Sequence, residues 1–211
     1  MIEYVVENNP DDRILLKASK ILKDGGLVCF PTETNWVVVA DPFNKAGVDK
    51  LYRLRHVHNT KHFTVLCESF QKAQEVSFID DGAFRILKKM IPGPYTFIFE
   101  AQKKITKHLK ASKTDKEVGL RFPPSTFCKR FLAVHGDVLI SSHLTPDMME
   151  IEDEETILYG AIIEDFFGNK LDLILDPGTY EFIGQSTTII DFTTGAPEII
   201  RLGAGPVDFL R

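Results

Sequence analysis

The chain has 211 residues, 44% of them hydrophobic, and a formal net charge of −5. That length supports one sizeable core rather than two, and the acidic balance excludes a protein that coats nucleic acid over its whole surface. No apolar run is long enough to cross a bilayer, and the opening "MIEYVVENNPDDR" lacks the charged-then-apolar pattern of a signal peptide, so a cytoplasmic protein with no membrane partner is expected.

From the N-terminus, Ile14, Leu15, Ala18, Ile21 and Leu22 recur at helical spacing, with Asp11 placed to cap the helix and Gly25 or Gly26 to stop it. Two short strands follow at 27–30 and 36–40, interrupted by Pro31-Thr32-Glu33-Thr34-Asn35. Those five residues are ordinary turn chemistry, and they are also donors and acceptors set at a strand end. Asn44 caps a helix through residue 54, with Val48, Leu51 and Tyr52 facing inward. "HFTVLCES" reads as a buried strand, and a second helix spans about 80–90, with Ala83, Ile86, Leu87 and Met90 on one face. Pro92-Gly93-Pro94 breaks it before the strand "YTFIFEA".

"EVGLRFPPSTFCKRFLAVHGDVLISSHL" reads strand, loop, helix, strand, and a further helix lies around 156–167. The chain ends in "LDLILD", "STTIIDF" and "PEIIRL", the last two joined as a hairpin through residues 193–196. Alternating strands and helices that finish in β structure predict an α/β fold, a single domain (residues 1–211) around one twisted, mixed sheet flanked by helices.

Five strand ends carry polar residues directly against apolar runs: 31–35, 53–61, Arg121, Ser141-Ser142-His143 and Arg201. Ligands of open α/β sheets sit at strand ends. The inventory is cations, hydroxyls and one imidazole, with Glu33 the single nearby carboxylate, which suits a phosphate or a carboxylate ligand. Neither common glycine-rich phosphate loop is present. His56, His58 and His62 have metal-like spacing, yet Arg53, Arg55 and Lys61 among them disfavour a dication, so no metal site is expected. Cys29, Cys67 and Cys128 read as buried thiols of a reducing compartment rather than disulfides or nucleophiles. Basic runs at 50–62 and 100–116 and an acidic run at 150–155 read first as solvated faces.

"GGLVCFPTETNW" resembles the G-G-x-x-x-x-P-T-E-T-x-Y-G-L opening of the YrdC-like family, and "RLRHVHNTKHFTVLC" its L-K-x-R-P-x-x-K-P-L segment. "VGLRFP", "ISSHLTPD", "QSTTIIDFT" and "IIRLGAG" fall in the order of that family's V-G-x-R-x-P, S-x-S-A-N, P-S-T-x-x-D and x-R-x-G elements. The match spans nearly the whole chain, with a family-like core at about 12–204, and is most similar to the YciO branch. The resemblance implies a concave, electropositive cavity and formation of threonylcarbamoyl-adenylate from ATP, L-threonine and bicarbonate, the first step towards N6-threonylcarbamoyladenosine on tRNA. ATP with Mg²⁺ enters as substrate, with no tightly bound cofactor. Threonine's amine forms a carbamate, whose carboxylate attacks the α-phosphorus while pyrophosphate leaves. Cations there supply most of the help. By the resemblance, Arg55, Lys61 and Ser141 serve catalysis and, with His143, Thr187 and Arg201, hold the nucleotide. Thr32 and Thr34 line the threonine pocket, and Arg121 takes the threonine carboxylate. The family is also described as binding double-stranded RNA.

Three positions depart from the pattern. Arg55-His56-Val57 stands where the family has Lys-x-Arg, so Val57 removes a cation. Ser141-Ser142-His143 replaces Ser-x-Asn, setting an imidazole expected to be partly protonated near neutrality in place of an amide. Trp36-Val37-Val38 replaces Tyr-Gly-Leu, giving Val37 a side chain where glycine admits close approach. Two classes stand open: a synthase-like nucleotidyltransferase, and a nucleotide-, tRNA- or double-stranded-RNA-binding paralogue without efficient turnover.

Overall fold

The computed structural model describes residues 1–55, 63–107, 116–151, 157–180 and 182–208. Strand β1 (Ile2–Tyr4) leads into α1 (Asp12–Lys23), where the Asp11 carboxylate accepts the Arg13 N–H as the sequence predicts. The chain leaves α1 through Gly25, whose φ of +84° favours glycine. A Cβ there would meet the Asn44 side chain, which is already engaged. Asn44 accepts from the Ala46 and Gly47 N–H groups to start α2 (Lys45–Leu54), and its amide donates to Lys23 O, tying one helix end to the next.

Between those helices run β2 (Val28–Pro31) and β3 (Trp36–Ala40), paired as an antiparallel hairpin. Pro31 is the last paired residue, opposite Trp36, rather than the first residue of the interruption. At a strand end the absent proline N–H costs the ladder little. Next come β4 (Thr64–Leu66), α3 (Phe70–Gln74), α4 (Asp81–Met90, capped by Asp80), β5 (Tyr95–Glu100), α5 (Lys103–Thr106) and β6 (Glu117–Arg121). Helix α6 (Thr126–His135) follows, capped by Ser125, then β7 (Leu139–His143) and α7 (Gly160–Phe167). Helix α7 starts later than the expected 156. Its first residue packs against Asp176 so closely that a Cβ would lie 2.2 Å from the carboxylate, and Tyr159 before it is extended. Strands β8 (Leu173–Asp176), β9 (Thr188–Asp191) and β10 (Glu198–Arg201) complete the chain, the last two as the expected hairpin.

The ten strands found among the described residues lie in one mixed sheet, in the order β1-β8-β2-β3-β7-β4-β6-β5-β9-β10. One face carries the larger core, from Cys29, Trp36 and Val38 through Phe97 and Leu120 to Ile190, with α2 and α7 against it. The second face is built by Leu15, Ala18 and Leu22 of α1 and Phe127, Phe131 and Leu132 of α6 packed on Phe30, Val37, Val39, Leu66 and Leu139. That second core contains no residue of β5, β6, β9 or β10. Apart from Leu66, this face therefore has no helix packed on it from β4 onward among the described residues, and its alternate residues Thr64, Thr96, Ile98, Gly119 and Ile189 are only half-buried. Among the described residues, no helix is long and apolar enough to cross a membrane.

Candidate functional site

The β2–β3 turn is locked by its own side chains. Thr32 donates its N–H and hydroxyl to Asn35 O, both at 2.8 Å, and the Asn35 amide donates to Leu144 O at 2.9 Å beyond the end of β7. The main chain of Glu33 is held as well, because Ile183 N–H donates to its carbonyl at 3.0 Å. What the turn presents is thus its side chains at 33 and 34.

Strand register sets the partners. Arg121 ends β6 opposite Leu66, and Leu66 belongs to the second core, so the guanidinium rises on the open-face side. Ser141 and His143 rise on that side too, opposite Val39 and Val37. Arg121, only 1% exposed, donates from Nη2 to Glu33 Oε1 at 2.5 Å and to Thr34 Oγ1 at 3.2 Å, and its Nη1 lies 3.0 Å from His143 Nε2. A guanidinium has donors only, so His143 accepts through Nε2 and carries its proton on Nδ1. Burial first, then the charges of Arg121, Arg201 and Arg55, pull the His143 pKa down to about 4. The expectation of a partly protonated imidazole is therefore corrected: desolvation of the half-buried ring and the neighbouring guanidinium charges keep it neutral.

The other expected residues sort by strand. Ser141 donates to Thr64 O at 3.1 Å, within the face. Thr187 shares a hydroxyl hydrogen bond with Thr96 at 2.8 Å, and the exposed Arg201 donates to Thr187 O at 2.9 Å. Thr96 is a residue that the sequence reading missed. The alternation of "YTFIFEA" puts it opposite Phe97 and Phe99, which is a signal only once the open face is known. Arg55 stacks its guanidinium 5.0 Å over the Phe63 ring. Lys61, Val57 and the three histidines at 56, 58 and 62 lie outside the described residues. Thr32 keeps its hydroxyl inside the turn, 3.4 Å from Thr34 Oγ1, the atom that Arg121 meets. It also lines a cavity of about 570 Å³ bounded by Glu7, Glu33, Ser125, Thr126 and Tyr180.

The Glu33–Arg121 ion pair is incomplete. Glu33 Oε2 and Arg121 Nε are buried without a hydrogen-bond partner. No cluster of metal-ligating residues occurs among the described residues. With Glu33 engaged by Arg121, the face offers hydroxyls and cations, a donor set fitted to phosphate and carboxylate oxygens rather than to a bare dication. All three cysteines are buried and free, and burial raises their thiol pKa values, that of Cys128 to about 12, so none is a ready nucleophile.

The family profile described as "Sua5_yciO_yrdC: Telomere recombination" matches residues 20–203. The uncharacterized protein YciO of Escherichia coli (strain K12) is 29% identical over 208 residues, which is 97% of this chain and 96% of YciO. A crystal structure of E. coli YciO superposes with a TM-score of 0.85 at 26% identity, over 100% of this chain and 99% of the other. A threonylcarbamoyl-AMP synthase of Coxiella burnetii (strain RSA 493 / Nine Mile phase I) is 29% identical over 188 residues, 88% of this chain and 95% of the synthase. The structure of P. abyssi Sua5 complexed with L-threonine shares the fold, with a TM-score of 0.85 at 20% identity over 100% of this chain and 59% of that one.

Proposed function

The chain belongs to the Sua5/YciO/YrdC family, and on that premise we propose that its open sheet face binds ATP with Mg²⁺ and L-threonine and, with bicarbonate, forms threonylcarbamoyl-adenylate. One observation carries the reading: Arg121 Nη1 lies 3.0 Å from His143 Nε2, and the charges of Arg201 and Arg55 bear on the same imidazole, on a face where the second core has no residue beyond β4 among the described residues. Such a site stabilises charge that grows on phosphoryl oxygens without a strong base. Arg121 takes the threonine carboxylate beside Thr34. Ser141, His143, Thr187 and Arg201 hold the nucleotide, His143 as an Nδ1–H donor, and Mg²⁺ arrives on the nucleotide's own phosphates. Arg55 and Lys61 supply cations from the segment after α2. A relative named threonylcarbamoyl-AMP synthase, at 29% identity, supports this choice of reaction within the family.

A second reading, nucleotide or RNA binding without efficient turnover, is favoured by a single observation: Arg121 is already engaged by the chain's own Glu33. Pyrophosphate release measured with MgATP, bicarbonate and L-threonine separates the two. Release that requires both bicarbonate and threonine, and falls at least about a hundredfold in Ser141→Ala together with Arg201→Ala, supports synthesis. Saturable ATP binding with no such release overturns it in favour of the binding role.

A further inference from the structure

Arg121 ends β6 on the same face as Ser141 and His143, buried, and a carboxylate is already on it. Glu33 Oε1 sits 2.5 Å from Nη2, with the Glu33 side chain 8% exposed. The contact is one-pronged. A guanidinium–carboxylate pair reaches full strength when two parallel N–H groups meet two oxygens. Here Nη2 is shared between Glu33 and Thr34, Nη1 is turned to His143, and Nε and Glu33 Oε2 are left over. A buried pair with unpaired atoms on both partners recovers little of its desolvation cost. It is therefore a contact that a better-fitting anion can replace.

Replacement also has a route. Glu33 lies in a turn whose main chain is pinned at Thr32, Asn35 and the Glu33 carbonyl, so only its side-chain torsions need change. Glu33, like Thr32, already lines the cavity of about 570 Å³. Ser125 and Thr126, at the N-terminus of the ten-residue helix α6, line that cavity too. Cys128 N–H of that first turn is capped by Ser125 Oγ, and the positive end of the helix dipole there favours a negative charge. The cavity thus offers space, the Ser125 and Thr126 hydroxyls and a helix start for a displaced carboxylate, with Glu7 the carboxylate it would approach.

We propose that Glu33 is a built-in competitor that holds Arg121 until an anionic ligand displaces it, whereupon its carboxylate turns into the cavity at the start of α6. Glu33 sets how tightly, and for which ligands, Arg121 works. A neutral or weakly anionic ligand leaves the internal pair in place, while a carboxylate with two free oxygens breaks it. This rests on the reading of Arg121 as the group that receives the substrate carboxylate.

Calorimetric titration of L-threonine, L-threoninamide and acetate into the wild type, Glu33→Gln and Glu33→Ala tests it, with thermal melts to verify folding. Glu33→Gln keeps the shape and removes the competing charge, so it is expected to tighten L-threonine by at least about tenfold, with Glu33→Ala following, while the amide, which has no carboxylate, stays within about twofold. Where the wild type binds L-threonine, unchanged or weaker threonine binding in both variants, or equal tightening of the amide, overturns the inference. Tightened acetate binding in the variants with no threonine binding anywhere keeps the inference and rejects threonine as the ligand. No gain for either carboxylate overturns the inference whatever the wild type binds.

Discussion

His143 accepts a hydrogen bond from Arg121 through Nε2 at 3.0 Å, so a histidine at the heart of a cationic site is fixed as a neutral acceptor. Protonation would cost that contact and add a fourth positive charge beside Arg121, Arg201 and Arg55. The folded protein therefore resists taking up a proton that the unfolded chain accepts readily.

Acid stability should reflect this. The His143 pKa falls from 6.5 to about 4 on folding, so its contribution is fully present above about 6.5 and is lost as pH falls through that window. Buried His135, also lowered mainly by desolvation, adds a loss of the same sign. Between pH 7 and pH 5 the His143 share is about 2 kcal/mol. His143→Asn keeps an acceptor for Arg121 without the titration. Denaturant unfolding at the two pH values should show the variant losing about 2 kcal/mol less than the wild type, and equal losses would contradict the neutral assignment.

Removing Arg121 tests the pair from its other side. Arg121→Met leaves the Glu33 carboxylate without its cation and should cost about 3 kcal/mol by chemical unfolding. Adding Glu33→Gln should restore at least about half, because the stranded charge is gone. A double variant no more stable than Arg121→Met would show that the two residues are not energetically coupled.

Arg201 is exposed on the edge strand, and its described hydrogen bonds go to Thr187. Arg201→Ala should change the melting free energy by no more than about 1 kcal/mol while weakening ATP at least about tenfold and leaving L-threonine affinity unchanged. Calorimetry with each ligand separately checks the split. A parallel loss for both ligands would mean that the substitution disturbs the whole face.

The basic run at 100–116 is divided by the fold. Lys104 pairs with Glu75 at 2.6 Å and Asp137 at 3.7 Å and sits over Phe43, so it serves packing between elements. The Lys103→Glu/Lys107→Glu double variant should weaken duplex RNA binding and flatten its salt dependence by about one or two units of slope without a change in melting temperature. Lys104→Glu should lower the melting temperature instead. Fluorescence anisotropy over a salt series, alongside melts, distinguishes the two, and unchanged RNA binding in the double variant would clear this face of a role.

Local chemistry made much of the molecule legible in its sequence. Asp11 and Asn44 announce helices α1 and α2, and the apolar spacing inside α1, α2 and α4 names the buried face, because capping and 3.6-residue periodicity act over a few neighbours. Strands β2, β3, β5, β6 and β7 were visible for the same reason, and the ordered polar strand ends pointed to the family. Strand β1 and the short helices α3 and α5 were not legible, since three to five residues carry too little periodicity. Strand β1, for instance, exists by pairing with β8, more than 160 residues away.

The working arrangement of the site was decided only in three dimensions. Nothing local to Glu33 says that Arg121 lies on it, for those residues are 88 apart and meet only because β2–β3 and β6 belong to one sheet. Nor does the sequence say that the second core ends at β4, which among the described residues leaves Thr96 and Arg201 on a face without a helix against it. The protonation of His143 followed the same rule. An isolated histidine titrates near 6.5, and burial beside three guanidiniums, each brought from a different segment, moved it to about 4. Sequence dictated the groups available, and long-range strand pairing decided which charges must share a low-dielectric space, where Coulomb and desolvation terms outweigh intrinsic pKa.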